Sequence, residues 1–212
     1  MAKYELELVT VGPLEVNCYL LACAETRAAA IIDPGTNGEE IVFHLRELGW
    51  NPAMVVNTHG HLDHWSANAD VAEAFGIPVY FPKEDLWLLH AEDIFGLAVI
   101  LGTRPCPPPA GLLEEGSRLE LGRLALTVRH TPGHTPGGCC LLVEDLCFTG
   151  DTLFAGGVGR TDLPGGDFEQ LLHSIRAKIL SLPDEVRVLP GHGPASTVGE
   201  ERRHNPYLQL GL

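Results

Sequence analysis

The stretch Thr58-His-Gly-His-Leu-Asp-His-Trp65 constrains this chain more than any other. Within six positions it carries His59, His61, Asp63 and His64. Neutral imidazoles gain little by crowding one another and much by sharing a cation. Nitrogen and carboxylate donors of this kind suit zinc, manganese or ferrous iron. Just ahead lies Ala53-Met-Val-Val-Asn57, a short apolar run that predicts a buried strand. The cluster therefore falls where a strand ends, in a loop held by a rigid scaffold, where chemistry is commonly placed.

Three later sites have the same local grammar. Thr131-Pro-Gly-His134 is a rigid turn after an apolar run. Phe148-Thr-Gly-Asp151 and Leu189-Pro-Gly-His192 place a carboxylate and an imidazole after two further runs. The glycine beside each of these residues lets the backbone come close to a common point. Together with the first cluster they make five histidines and two aspartates. That set suits two adjacent divalent metal ions sharing one carboxylate, with zinc expected and iron or manganese as alternatives. His44, His90, His130, His173 and His204 lie on predicted helices, at loop edges or in the tail, and read as structural or surface groups.

Residues 4–11 alternate apolar and polar and predict a half-buried strand, 17–23 and 28–33 predict the next two strands, and Asp33-Pro-Gly-Thr breaks the pattern. Asn37 with Glu40 three positions on predicts a capping box. It opens a helix whose apolar face is Ile41, Val42, Leu45 and Leu48, ended by Gly49. Residues 66–75 predict a helix, 77–81 a strand and 83–90 a helix. From 93 to 111 the chain is irregular and proline-rich, and a loop of that length forms a lid or binding wall or else a surface excursion. Strands are expected at 118–121, 124–128, 138–143, 146–149 and 186–189. Helices are expected from Asp167, capped with Gln170 in third place, and over 199–208. Two face-to-face sheets with helices outside would bury every apolar face.

The 212 residues read as one domain spanning 1–212, large enough to bury roughly 70% of its unfolded surface without staples. A net charge of −14 disfavours nucleic acid, whose binding requires phosphate neutralisation. No apolar run approaches the ~18 residues of a membrane span, and the first eight residues lack the apolar core of a leader. Six cysteines without a Cys-x-x-Cys pair suit a reduced, cytoplasmic protein, with Cys106 among prolines as an exposed thiol.

The order His-x-His-x-Asp-His, His, Asp, His resembles the metallo-β-lactamase superfamily. Gly156-Gly-Val-Gly-Arg-Thr-Asp162 and Arg203-His-Asn-Pro-Tyr-Leu208 are similar to its short hydroxyacylglutathione hydrolase (glyoxalase II)-like branch. The resemblance implies an α+β fold, a four-layer αββα sandwich with metals at the sheet edge. It implies that His59, His61 and His134 hold one ion, that Asp63, His64 and His192 hold the second, and that Asp151 bridges them. A carboxylate at 151 suits the hydrolase branch, where many true β-lactamases carry cysteine. The expected substrate is a small-molecule thioester of the S-D-lactoylglutathione type, cleaved by a metal-bound hydroxide. Asp63 would both bind metal and orient that hydroxide. Only 20 residues follow His192, so no C-terminal helical domain with glutathione-binding bases is expected. Arg160 is then the candidate for a substrate carboxylate, set against a simple ion pair with Asp162. The rival reading is a persulfide dioxygenase of the same fold, with one ferrous ion on His59, His134 and Asp151.

Overall fold

The structure, a computed structural model, describes residues 3–90 and 96–209. The first sheet begins as an antiparallel meander of β1 (Tyr4–Val11), β2 (Val16–Cys23) and β3 (Ala28–Ile32). Helix α1 (Gly38–Leu48) then leads to β4 (Asn51–Val56), which pairs parallel to β3. Two short helices, α2 (Leu62–Trp65) and α3 (Asn68–Phe75), precede β5 (Val79–Pro82), parallel to β4. A 3-10 helix over Lys83–His90 and α4 (Leu97–Ile100) lead to β6 (Gly111–Leu113), which closes the sheet parallel to β5.

The second sheet runs from β7 (Arg118–Leu121) through β8 (Leu124–His130), β9 (Cys139–Val143) and β10 (Leu146–Gly150), all antiparallel. A small hairpin follows, β11 (Leu153–Phe154) and β12 (Gly157–Val158). Helix α5 (Phe168–Ser174) continues as a wider π-type turn over Ile175–Ile179. Strand β13 (Arg187–Pro190) pairs parallel to β10, β14 (Ser196–Thr197) flanks it, and α6 (Val198–His204) follows.

Three apolar clusters define the layers. Tyr19, Leu21, Ile32 and Val56 of the first sheet meet Leu126, Leu141 and Phe148 of the second. The alternate residues of β2 and β3, Cys18, Leu20 and Ile31, face away, onto Ile41 and Leu45 of α1 and Val71 of α3. Every residue of β2 is buried because both of its faces are covered. On the far side Cys147 and Val188 pack beneath Leu171, Ile175 and Ile179. The result is the expected αββα sandwich.

This topology creates one functional edge. Strands β8 and β10 both lie antiparallel to β9, and β13 is parallel to β10. The three therefore run the same way and release the loops of His134, Asp151 and His192 at one end. Strand β4 of the other sheet delivers His59 to the same edge. Among the described residues no helix is long and apolar enough to cross a membrane.

Several local expectations need correction. Asn37 sits in the left-handed region at φ 57°, with no side-chain cap bond. An N-cap needs extended backbone, so the capping box does not form, and Asn37 Nδ2 donates to the Glu40 carboxylate instead. The expected helix over 66–75 forms as the single helix α3 but begins at Asn68, and Asp63 and His64 lie on α2, a separate short helix before it, rather than in a loop. Residues 93–95 of the expected 93–111 loop lie outside the described residues. The rest of that loop contains α4 and reaches β6, which was not foreseen. Cys106 is half-buried rather than exposed, its Sγ accepts from Asn68 Nδ2, and burial pushes its thiol up. All six cysteines are free. The Asp167 cap forms as expected, its carboxylate accepting from the Gln170 amide at 2.9 Å. Asp167→Ala is expected to cost about 1 kcal/mol in urea unfolding.

Candidate metal centre

The seven histidines and aspartates singled out in the sequence converge on that edge. His61 Nδ1 lies 2.8 Å from His134 Nε2, and His59 joins them within ligand-sharing distance. Beside this group, His64 Nε2 lies 3.2 Å from His192 Nε2. Asp63 Oδ2 is 3.5 Å from each of those two nitrogens. Asp151 stands between the groups. Its Oδ1 is 3.5 Å from His64, and its Oδ2 is 3.6 Å from both His134 and His192.

Hydrogen bonds behind the rings decide which nitrogens face inward. His134 Nδ1–H donates to the Arg160 carbonyl at 2.7 Å. His192 Nδ1–H donates to the Leu14 carbonyl at 2.9 Å, and His64 Nδ1–H donates to Asp33 at 3.2 Å. Thr58 Oγ1 gives its proton to Asp33 at 2.6 Å and so accepts from His59 Nδ1–H at 3.1 Å. Four rings therefore present Nε2, the tautomer a metal ligand requires. His59 Nε2 and Asp151 Oδ1 are buried with no hydrogen-bond partner among the described residues. Buried acceptors without donors are costly, and a cation supplies what both lack. A Cβ at Gly191 would lie 2.3 Å from Asp151 Oδ1 and 2.7 Å from His64 Cε1, so only glycine lets these groups approach.

The electrostatics agree with a site built for positive charge. Burial pushes the Asp151 carboxyl up, but His64, then His134 and His192, hold it well below the usual carboxylate range. Asp63 is lowered in the same way, against burial, chiefly by His64. Burial, reinforced by His134, brings His61 down to about 4. His59 falls well below its ordinary value through burial and the neighbouring imidazoles. His64 rises, against burial, because Asp151 and Asp63 face it.

A family model described as the metallo-beta-lactamase superfamily matches residues 11–192. The chain belongs to this superfamily. It is 38% identical to hydroxyacylglutathione hydrolase GloC of Haemophilus influenzae, over 96% of this chain and 97% of that one. It is similar to the crystal structure of BLEG-1 B3 metallo-beta-lactamase, with a TM-score of 0.88 and 37% identity, over 97% and 100% of the chains. It is similar also to TTHA1623 in a di-iron-bound form, with a TM-score of 0.86 and 42% identity, over 95% and 100%. Family and geometry together give a metallo-hydrolase with a divalent metal site.

Several supporting residues were not foreseen. Asp33, read only as a pattern breaker, also accepts from the Thr58 amide at 2.8 Å. Asn17 Nδ2 and Tyr19 Oη both donate to the Pro190 carbonyl at 2.9 Å and steady the His192 loop. Glu201, buried on α6, accepts from the Gly156 amide, and Asn205 Nδ2 donates to the Gly157 carbonyl. These bonds brace the loop that leads to Arg160, whose carbonyl orients His134. The tail thus supports the site through Asn205 and Glu201, while His204 remains exposed. The Arg160 guanidinium forms a two-point pair with Asp162, at 2.7 and 2.8 Å, and is 61% exposed.

Proposed function

We propose that the chain is a metal-dependent thioesterase acting on an S-(2-hydroxyacyl) thiol of the S-D-lactoylglutathione type. The carrying observation is Asp151, within 3.6 Å of imidazoles from both groups. In this reading His59, His61 and His134 hold one divalent ion, Asp63, His64 and His192 hold a second, and Asp151 serves both. Such ions supply a water of pKa about 7 and a polarised carbonyl. The chain's own residues do the rest. Asp63 Oδ2, within reach of both neighbouring imidazoles, is placed to accept and orient the proton of an attacking water. The departing thiolate has a conjugate acid of pKa roughly 8.5, so it needs no strong general acid from the protein. The likeness to GloC supports the thioester. The likeness to the di-iron form of TTHA1623 supports two ions and keeps iron beside zinc and manganese.

Arg160 sits in the loop after Asp151 and is the proposed partner of a carboxylate on the thiol carrier. Its exposure puts the lost interaction near the lower end of the charge-assisted range, about 1.5 kcal/mol. Arg160→Ala is expected to raise KM about tenfold and leave kcat unchanged. An unchanged KM would remove Arg160 from substrate binding and leave the chemistry as proposed.

The deciding experiment loads the protein with zinc or iron and measures three rates side by side. These are hydrolysis of S-D-lactoylglutathione, hydrolysis of a chromogenic β-lactam, and oxygen uptake with glutathione persulfide. Thioester turnover well above the other two is expected. Oxygen uptake without thioester hydrolysis would establish the dioxygenase alternative, and β-lactam turnover alone would sink both.

A further inference from the structure

We propose that Asp85 is a positioning residue whose carboxylate clamps the turn between His59 and His61 to the turn that follows His134. The proposal rests on the reading that these three histidines hold one ion. Asp85 lies on the 3-10 helix over Lys83–His90, outside both ligand loops, and is 0% exposed. Its Oδ2 accepts from the Gly60 amide at 2.8 Å and from Thr135 Oγ1 at 2.7 Å. Its Oδ1 accepts from the Gly137 amide at 2.6 Å. Gly60 stands between two of the imidazoles, and Thr135 directly follows the third.

The two turns come from different sheets, the first from β4 and the second from β8. Their relative position therefore depends on what crosses the edge. The Cys139 amide, bonded to the Thr58 carbonyl at 2.9 Å, is one such tie. Asp85 is the other kind, a single group holding both turns from a third element. A buried carboxylate is costly unless donors surround it, and here two amides and a hydroxyl do so. The fit leaves no slack. A Cβ on Gly60 would lie 2.8 Å from Asp85 Cβ, and a Cβ on Gly137 would lie 2.7 Å from the Asp85 amide nitrogen. The 2.8 Å spacing of His61 Nδ1 and His134 Nε2 is the dimension this clamp sets. Among the described residues, the hydrogen bonds of Asp85 go to this side only, and none reaches Asp63, His64 or His192. Its loss should therefore act on one half of the centre.

The test is a zinc titration of metal-free protein by calorimetry, with cobalt absorption spectra as a second readout of coordination. In Asp85→Asn an NH2 must face either the Gly137 amide or the Gly60 and Thr135 donors, so one tie is lost. One of two binding steps is expected to weaken at least about tenfold, with an altered cobalt spectrum, while the other step stays unchanged. Thr135→Val removes one of the three bonds and should weaken the same step by a smaller factor. It keeps the question answerable if Asp85→Asn does not fold. Equal weakening of both steps, or of neither, would overturn the clamp. If the wild-type protein takes up only one ion, the two-ion reading fails on its own. The clamp is then judged on that single step, and an unchanged affinity in Asp85→Asn would overturn it.

Discussion

Asp151→Ala should lower kcat for thioester hydrolysis by at least about 1000-fold and leave the protein unable to retain either ion. Loss of a group that merely orients a ligand costs about 10- to 100-fold. Asp151 lies nearer the reaction than that, and its two oxygens face both imidazole groups. His64 and its neighbours hold this carboxylate well below the usual range against its burial, so it is charged at neutral pH. Alanine would remove the one negative charge common to both groups and leave His64 and His134 facing a void. His192→Ala is the informative comparison. His192 is partly exposed and approaches only the group containing His64, so its loss should cost about 10- to 100-fold and spare one ion. Steady-state kinetics and elemental analysis of both variants decide the matter. Equal losses of kcat with equal metal content would remove the shared role given to Asp151.

The convergence of the seven candidate ligands was legible because each lies at or just beyond the end of an apolar run and belongs to a ligand type. Strand ends are local properties, and the turns after β4, β8, β10 and β13 announce themselves through glycine and proline. The layers were legible for a similar reason, since the alternation along β1 and the stripe of α5 each state which face is buried, while the unbroken apolar runs of β2 and β3 state that both faces are. What stayed hidden depends on contacts between distant segments. Asp33, Asp85, Glu201 and Asn205 are ordinary polar residues in sequence and acquire their roles only when a particular loop is laid against them. Asp33 is separated from His64 by 31 positions, and Asp85 from Gly137 by 52. Strand β6 escaped because three residues after a proline-rich stretch carry no period, and its pairing with β5 is a matter of topology. The Asn37 cap failed because sequence spacing does not report that the backbone there turns left-handed.

Asp33→Asn should weaken metal binding at the His64 side by about 10- to 100-fold while leaving the backbone in place. Asp33 occupies the left-handed region at φ 50°, a conformation asparagine tolerates and alanine does not, so the amide is the conservative probe. The carboxylate now takes three donors: the Thr58 amide on Oδ1, and Thr58 Oγ1 and His64 Nδ1 on Oδ2. In the variant Oδ1 can still serve the Thr58 amide, but an NH2 then replaces Oδ2. That group can donate to Thr58 Oγ1, yet it faces His64 Nδ1 proton to proton. The ring escapes by moving its proton to Nε2, the nitrogen that lies 3.2 Å from His192. A protonated Nε2 cannot ligate, so the tautomer shift and the loss of affinity are one event. The same substitution disturbs His59 less, because Thr58 Oγ1 remains between them. Nitrogen-15 spectra of the imidazoles in the metal-free variant, recorded at alkaline pH where His64 is neutral, report the tautomer, and a zinc titration reports the affinity. A weakened site with His64 still protonated at Nδ1 would transfer the role of Asp33 from ring orientation to loop stability. Unchanged affinity would leave it no role at the centre.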